Sequence, residues 1–205
     1  MLKAYLLAKK ALREGNLCRL ISLLEKQPGL ARFHPPVDEL GHRRTLLHEV
    51  TGMAELAWPD NAADLAQLLI NHGARVDARE NLRRGETPLI HAVRVNNVAV
   101  AEVLLENGAD LEKTGRYDGS VDRPLGYALF FGRETRLPKY PINAPQLLCD
   151  YGAYVYLPFA AALHDNELAH RLVRTDGSLH ADASPSADHQ LVLTQTLFFA
   201  LQHEN

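Results

Sequence analysis

Residues 87–92 read Thr-Pro-Leu-Ile-His-Ala, and a Gly-Ala-Asp triplet begins at Gly108, twenty residues after the proline. Between these two stretches, apolar side chains recur at the spacing of one helix face. Thr87 can cap a helix through its hydroxyl, and Pro88 fits a first helical turn, where its missing N–H costs nothing. Gly108 can take the left-handed conformation that ends a helix. The stretch 87–110 therefore predicts two short helices joined by a turn.

Related units precede and follow this one. Residues 45–50 read Thr-Leu-Leu-His-Glu-Val and residues 123–128 read Arg-Pro-Leu-Gly-Tyr-Ala, each with Leu-Leu and then Gly-Ala further along. A weaker copy, Leu-Pro-Phe-Ala-Ala-Ala, occupies 157–162. The proline position of the four units recurs at spacings of 42, 36 and 34 residues. A unit this short cannot bury its own apolar face, so the pattern indicates helix pairs stacked on one another.

These units resemble the ankyrin repeat, whose signature is T-P-L-H-x-A on a period of about 33 residues. The resemblance implies an all-α fold, a solenoid of about five helix pairs with hairpin loops and capping helices. It predicts a single ankyrin-repeat domain over 1–205. Its expected parts are an N-terminal capping repeat at 1–34, repeats at 42–78, 84–112, 120–153 and 156–178, and a C-terminal capping helix at 187–205.

The composition is that of a globular protein. Hydrophobic residues make up 46% and charged residues 23%, which excludes a disordered tail or a fibre. The net charge of -3 argues against a molecule that coats nucleic acid as a whole. Residues 1–34 hold seven Lys or Arg against two acidic residues, which we interpret as the solvated face of the capping repeat. Two cysteines, Cys18 and Cys149, are predicted to be buried thiols.

Two of the units depart from the repeat through enlarged loops between their helices. The additional residues lie around 55–61 and 136–141, and they include Trp58 and Tyr140. Insertions of this kind often map to a binding edge, and aromatic residues are favoured at interfaces. Drift in a tolerant loop is the alternative that the sequence leaves open.

In ankyrin families, partner proteins contact the hairpin tips and the outward positions of the inner helices. Carried over to this chain, the resemblance predicts a partner-binding surface where mixed charges surround apolar anchors. Its candidate residues are Arg83, Arg84, Glu86, Arg94, Val95, Arg116, Tyr117, Asp122, Phe130, Phe131, Trp58 and Tyr140. Because neighbouring residues of a helix point about 100° apart, one of Phe130 and Phe131 is expected in the core and the other on the surface. A solvated charged turn is the alternative for Arg83 and Arg84.

Ten histidines raise the question of metal binding or catalysis. His48 and His91 occupy corresponding parts of two units, and we interpret both as structural. His164 and His170 are six residues apart, which points them to different faces of a helix and lacks the H-E-x-x-H spacing. No nucleophile elbow, P-loop or dinucleotide-binding loop occurs. We therefore predict no catalytic, cofactor-binding or metal-ligating residue, with a metal site or enzyme around 164–170 as the less favoured alternative.

The predicted function is the recognition of another protein, without a cofactor. Compact ankyrin chains with enlarged loops are similar to ones found in bacteria, some encoded beside toxins, which implies an inhibitor or immunity-type binder. The alternative is an adaptor or a secreted effector that engages a host or regulatory protein. Because no stretch of about 20 apolar residues and no signal peptide is found, we expect a cytoplasmic protein with no membrane partner. Nucleic acid is an unfavoured partner, and the chain is expected to be a monomer when alone.

Overall fold

The computed structural model describes residues 1–38, 43–51, 59–80, 85–117, 120–131, 144–176, 178–183, 192–193 and 196–197. The chain divides into two compact units, 1–152 and 153–205. The elements of the first unit are α1 (Leu2–Arg13), α2 (Leu17–Lys26), α3 (Leu46–Thr51), α4 (Ala62–Asn71), α5 (Pro88–Arg94), α6 (Val98–Glu106), β1 (Gly115–Tyr117), β2 (Ser120–Asp122), α7 (Pro124–Phe131) and α8 (Ala144–Asp150). The second unit contains α9 (Leu157–Ala162) and α10 (Asn166–Leu172). The described residues thus form five helix pairs, which confirms the all-α prediction.

The first unit is a stack of helix pairs. The first helices of the pairs, α1, α3, α5 and α7, pack on one another in chain order, and the second helices α4, α6 and α8 do the same. Leucines such as Leu46, Leu89 and Leu104 are fully buried between them. Ala92 and Ala128 are also buried, and their small side chains let α5 and α7 pack closely. The core therefore runs between neighbouring repeats, as a repeat with a one-sided apolar face requires.

The turn between the two helices of a pair is built alike in three repeats. A residue with positive φ is followed by an Asn or Asp whose side-chain oxygen accepts a hydrogen bond from the backbone N–H three residues further on. The pairs are Gly15–Asn16, Asn96–Asn97 and His164–Asp165. This cap satisfies one of the N–H groups that every helix start leaves without an intrahelical partner. His164 therefore occupies a left-handed turn position between α9 and α10.

The ends of the predicted helices are confirmed at the residues that the sequence singled out. The Thr87 hydroxyl accepts a hydrogen bond from the Ile90 N–H at the start of α5. Gly108, two residues after the end of α6, has a φ of 80°. The Ala109 N–H bonds back to the Leu104 carbonyl, which closes the last turn.

Replacing Gly108 by valine is expected to lower the free energy of unfolding by about 1–3 kcal/mol, because a β-branched residue is strained at positive φ. A Cβ at this position would meet no atom within 4 Å, so crowding adds nothing to the effect. Urea denaturation measures the loss. Gly108→Asn is the matched control and should lose less, since asparagine tolerates this conformation. Equal stability of the valine variant and the wild type would contradict the assignment.

The second unit has a small core of its own. Leu157, Leu172, Leu179, Ala183 and Val192 pack together. The C-terminal helix predicted at 187–205 lies almost entirely outside the described residues, so it stays a prediction, as does the single domain over 1–205.

The prediction that both cysteines are buried is wrong. Cys18 is exposed and Cys149 is half-buried. The buried residues of α2 are Leu20 and Leu24, and two residues along a helix turn the side chain by about 200°. Cys18 therefore faces away from the helix side that meets the core.

Candidate interaction surface

Two successive loops, residues 75–80 with 85–87 and residues 110–117 with 120–123, lie next to α5 and α7. The exposed side chains of these loops form the surface that we call the hairpin face. In the second loop, β1 and β2 pair antiparallel, with Gly115 opposite Asp122. In the first loop, the Glu80 N–H donates to the Glu86 carbonyl oxygen at 3.0 Å and closes the loop. Hairpin loops were predicted at both places, and the described residues confirm them.

The two loops are tied to each other by side chains. Arg79 Nη1 donates to the carbonyl oxygens of Gly85 and Thr114, at 2.9 Å and 3.0 Å. Asp77 accepts a hydrogen bond from the Asp110 N–H and lies 3.5 Å from Lys113 Nζ. Neighbouring hairpins are thus cross-linked by polar contacts. A partner would meet a surface that is ordered before it binds.

A buried ion pair network lies beneath the hairpin face. His91 Nε2 lies 2.7 Å from Glu80 Oε2 and 3.0 Å from Glu86 Oε2, and all three side chains are fully buried. Because ionised carboxylate oxygens only accept hydrogen bonds, the imidazole proton must be on Nε2. The His91 Nε2–H therefore donates a hydrogen bond to Glu80, and it lies close enough to Glu86 to make an ion pair with it as well.

Two guanidinium groups flank this triad and complete what we call the ionic cluster (Arg44, Glu80, Glu86, His91 and Arg94). Arg44 Nε is 3.7 Å from Glu80 Oε1, and Arg94 Nη1 is 3.5 Å from Glu86 Oε2. Burial by itself raises the pKa of Glu86, but the hydrogen bond and charge of His91, with the charge of Arg94, hold that pKa below its usual value. The cluster thus keeps Glu86 ionised in a buried position.

His48 connects this cluster to the preceding repeat. The Thr45 N–H donates to His48 Nδ1, so the proton is on Nε2, which donates to the Glu86 carbonyl oxygen at 3.2 Å. Its ring meets that of His91 edge-on, with centroids 5.3 Å apart. Burial, and then the charge of His91, lower the pKa of His48 to about 3. The structural role predicted for His48 and His91 is confirmed, since both bridge from a helix to a hairpin loop.

The chemistry of the cluster fits a structural role better than a metal site. Glu80, Glu86 and His91 are, within the described residues, the one group whose donor atoms converge closely enough to hold a cation. Arg44 and Arg94 already supply the positive charge that these carboxylates need, and a divalent cation would have to be buried beside both guanidinium groups. The alternative metal site at His164 and His170 gains no support, because the two do not form such a group.

The structure corrects two of the predicted contact residues. The side chains of Glu86 and Val95 are buried, at 0% and 3% exposure, so neither is offered to a partner. A charged loop residue is usually solvated, but Glu86 turns inward because His91 and Arg94 compensate its charge.

For the other predicted contact residues, the structure describes the side chain in some cases, only the backbone in others, and neither in the rest. Arg116 is exposed on β1, Asp122 is half-buried at the end of β2, and 18% of the Arg94 side chain is exposed. Tyr117 ends β1, and Phe130 and Phe131 form the last turn of α7, but only their backbones are described. Four further candidates lie outside the described residues: Arg83, Arg84, Trp58 and Tyr140.

Sequence reasoning did not single out Glu80 as a site residue. The available signal was a histidine on an apolar helix, preceded by two glutamates at distances of 5 and 11 residues. A buried imidazole needs hydrogen-bond partners, and these acidic residues close to it in the chain are candidates for that role.

A family model described as ankyrin repeats, in three copies, matches residues 10–115, which is just over half of the chain. The match runs from α1 to the beginning of β1 and includes the whole ionic cluster. No curated protein shows a significant match. No helix of the described residues is both long enough and apolar enough to cross a membrane.

Proposed function

The chain belongs to the ankyrin-repeat family, whose repeats are generally protein–protein interaction modules, and we propose that its hairpin face binds a partner protein. The observation that carries the proposal is the cross-linked pair of hairpins above the ionic cluster. A surface ordered in advance loses little conformational freedom on binding, so more of the contact free energy appears as affinity.

The charged and aromatic residues of the hairpin face suit a partner surface that carries both charged and apolar groups. Exposed cations (Arg75, Arg79 and Arg116) alternate with exposed acids (Asp110 and Glu112). Interfaces of this type draw most of their affinity from a few aromatic or arginine side chains. Arg116, with Tyr117 beside it and Phe130 and Phe131 on α7, supplies side chains of those types, and Arg83 and Arg84 lie between the two described parts of the first loop.

In its narrower form, the proposal is an inhibitor or immunity-type binder that covers a partner enzyme. A single rigid face that engages one protein is sufficient for this role. An adaptor or a secreted effector that engages a host or regulatory protein is the second candidate, and bridging two proteins requires a second interaction surface. The exposed side chains of Leu2 and Leu6 on α1 offer such a surface and favour that candidate. A one-to-one complex that blocks the partner's activity supports the inhibitor, whereas a ternary complex supports the adaptor.

Charge reversal on the hairpin face is expected to weaken partner binding by about tenfold or more, which corresponds to about 1.4 kcal/mol. The measurement is quantitative affinity capture from native lysate with the wild type, Arg116→Glu, Arg83→Glu/Arg84→Glu and Trp58→Ala, the last of which tests the enlarged-loop edge. Lys26→Glu is the matched control, because Lys26 is an exposed residue of α2 that lies outside the hairpin face.

A protein retained by the wild type and by the Lys26 control, but lost with either hairpin variant, supports the proposal. Retention by every hairpin variant, together with loss in Trp58→Ala, would move the binding surface to the enlarged-loop edge. Equal retention by all four variants would contradict both sites.

A further inference from the structure

The first helix carries apolar side chains on its exposed side. Leu2 is 45% exposed and Leu6 is 57% exposed. The opposite side of α1 holds the buried residues that face the stack, Ala4, Tyr5, Ala8, Ala11 and Leu12. At about 100° per residue, Leu2, Leu6 and Arg13 fall within about 40° of one another around the helix. They form one stripe that points away from the core.

This stripe is flanked by positive charge. Lys3, Lys10 and Arg13 are exposed on α1, and Glu14 follows at its end. Lys10 lies 3.7 Å from Glu14, whereas neither Lys3 nor Arg13 has an ion-pair partner within the described part of the chain. The exposed side of α1 therefore combines apolar contact area with uncompensated positive charge.

A shallow depression lies on the same side, lined by Leu6, Lys9, Lys10, Arg13 and Glu14. The helix that forms it is held in place by contacts to Arg44 and Glu49. The Tyr5 hydroxyl donates to the Arg44 carbonyl oxygen at 2.7 Å, and Lys9 Nζ lies 2.7 Å from Glu49 of α3. The exposed apolar face is thus a fixed feature of the first repeat.

We propose that this face of α1 is a second interaction surface, and that it docks an amphipathic helical segment of a partner protein with acidic side chains beside apolar ones. Such a segment places an apolar side chain against Leu2 and Leu6 and its carboxylates against Lys3, Lys10 and Arg13. The depression beside Leu6 favours a protruding side chain over a flat lipid surface. The surface is separate from the hairpin face.

The test uses the full chain and a fluorescein-labelled helical peptide of about 14 residues, with leucines spaced one turn apart and glutamates beside them. Fluorescence anisotropy measures binding to the wild type, Leu6→Gln, Arg13→Glu and the control Lys26→Glu. We expect Leu6→Gln and Arg13→Glu each to weaken binding about tenfold, while Lys26→Glu binds like the wild type. A second peptide with glutamine in place of glutamate should bind more weakly. Circular dichroism checks that each variant is folded.

Several outcomes would overturn the proposal. One is that the wild type does not bind the peptide at concentrations up to about 1 mM. Another is that all variants bind the peptide as tightly as the wild type. Sedimentation with vesicles of phosphatidylserine and phosphatidylcholine that depends on Leu6 and Arg13, without peptide binding, would assign the face to a membrane surface instead. Dimerisation lost in Leu6→Gln, measured by light scattering, would assign it to a second copy of the chain. Because Arg116→Glu is expected to bind the peptide like the wild type, failure here is distinguishable from failure of the hairpin face.

Discussion

Replacing His91 by leucine is expected to lower the free energy of unfolding by about 3–5 kcal/mol, the usual cost of breaking a buried ion pair. His91 Nε2 lies 2.7 Å from Glu80 and 3.0 Å from Glu86, and all three side chains have no solvent exposure. Without the imidazole, two carboxylates face each other in a site that water does not reach. Within the described residues, the other cations near these carboxylates are Arg44 and Arg94, and both are farther from them than the imidazole is.

Urea denaturation of the two proteins, followed by circular dichroism, measures this loss. His72→Leu is the matched control, because His72 is exposed at the end of α4 and its replacement is expected to change stability by less than about 0.5 kcal/mol. Equal denaturation midpoints for His91→Leu and His72→Leu would show that the contacts of His91 with Glu80 and Glu86 do not stabilise the fold.

A triple replacement, Glu80→Leu/Glu86→Leu/His91→Leu, distinguishes the destabilising effect of uncompensated charge from the effect of lost packing. Exchanging a whole buried ionic group for apolar side chains is often neutral or stabilising, since no uncompensated charge remains. The triple variant is therefore expected to be more stable than His91→Leu alone. Arg44 and Arg94 can turn to solvent, because 27% and 18% of their side chains are already exposed.

The helix pairs were predictable because their determinants are local. The Thr87 cap, Pro88 in the first turn and the glycine after α6 are each specified by a few adjacent residues. The recurrence of this pattern along the chain then predicted where the other helix pairs lie. Stacking follows from the same apolar positions, because each repeat buries them only against its neighbours.

The ionic cluster was not predictable because its contacts join residues far apart in the chain. Arg44 reaches Glu80 across 36 positions, and His48 reaches the Glu86 carbonyl oxygen across 38. A charged residue in a loop is solvated by default, and only its partners can reverse this. The sequence therefore placed Glu86 on the surface, whereas the structure buries it beneath the hairpin face.

Acidification from pH 7 to pH 5 is expected to destabilise the chain through His48. Its pKa is lowered from 6.5 to about 3 in the folded chain, chiefly by burial. Between these two values the unfolded chain binds a proton that the folded chain does not, so stability falls as the pH falls. The loss attributable to His48 is about 2 kcal/mol between pH 7 and pH 5. Below about pH 4.5, Glu86 adds to this loss of stability, because its pKa is lowered in the folded chain and the unfolded chain therefore binds the proton first.

The wild type and His48→Gln should therefore differ in slope when unfolding free energies are measured by urea denaturation from pH 5 to pH 7.5. His34, whose pKa is also lowered by burial and by Arg43 and Arg75, contributes equally to both proteins and cancels in the difference. Nitrogen-15 NMR provides a direct check, since a neutral His48 ring with its proton on Nε2 is expected to persist at pH 5. Parallel slopes for the wild type and His48→Gln would mean that the folded chain protonates His48 as readily as the unfolded chain, and the bridge from α3 to the Glu86 carbonyl could then not be a buried neutral one.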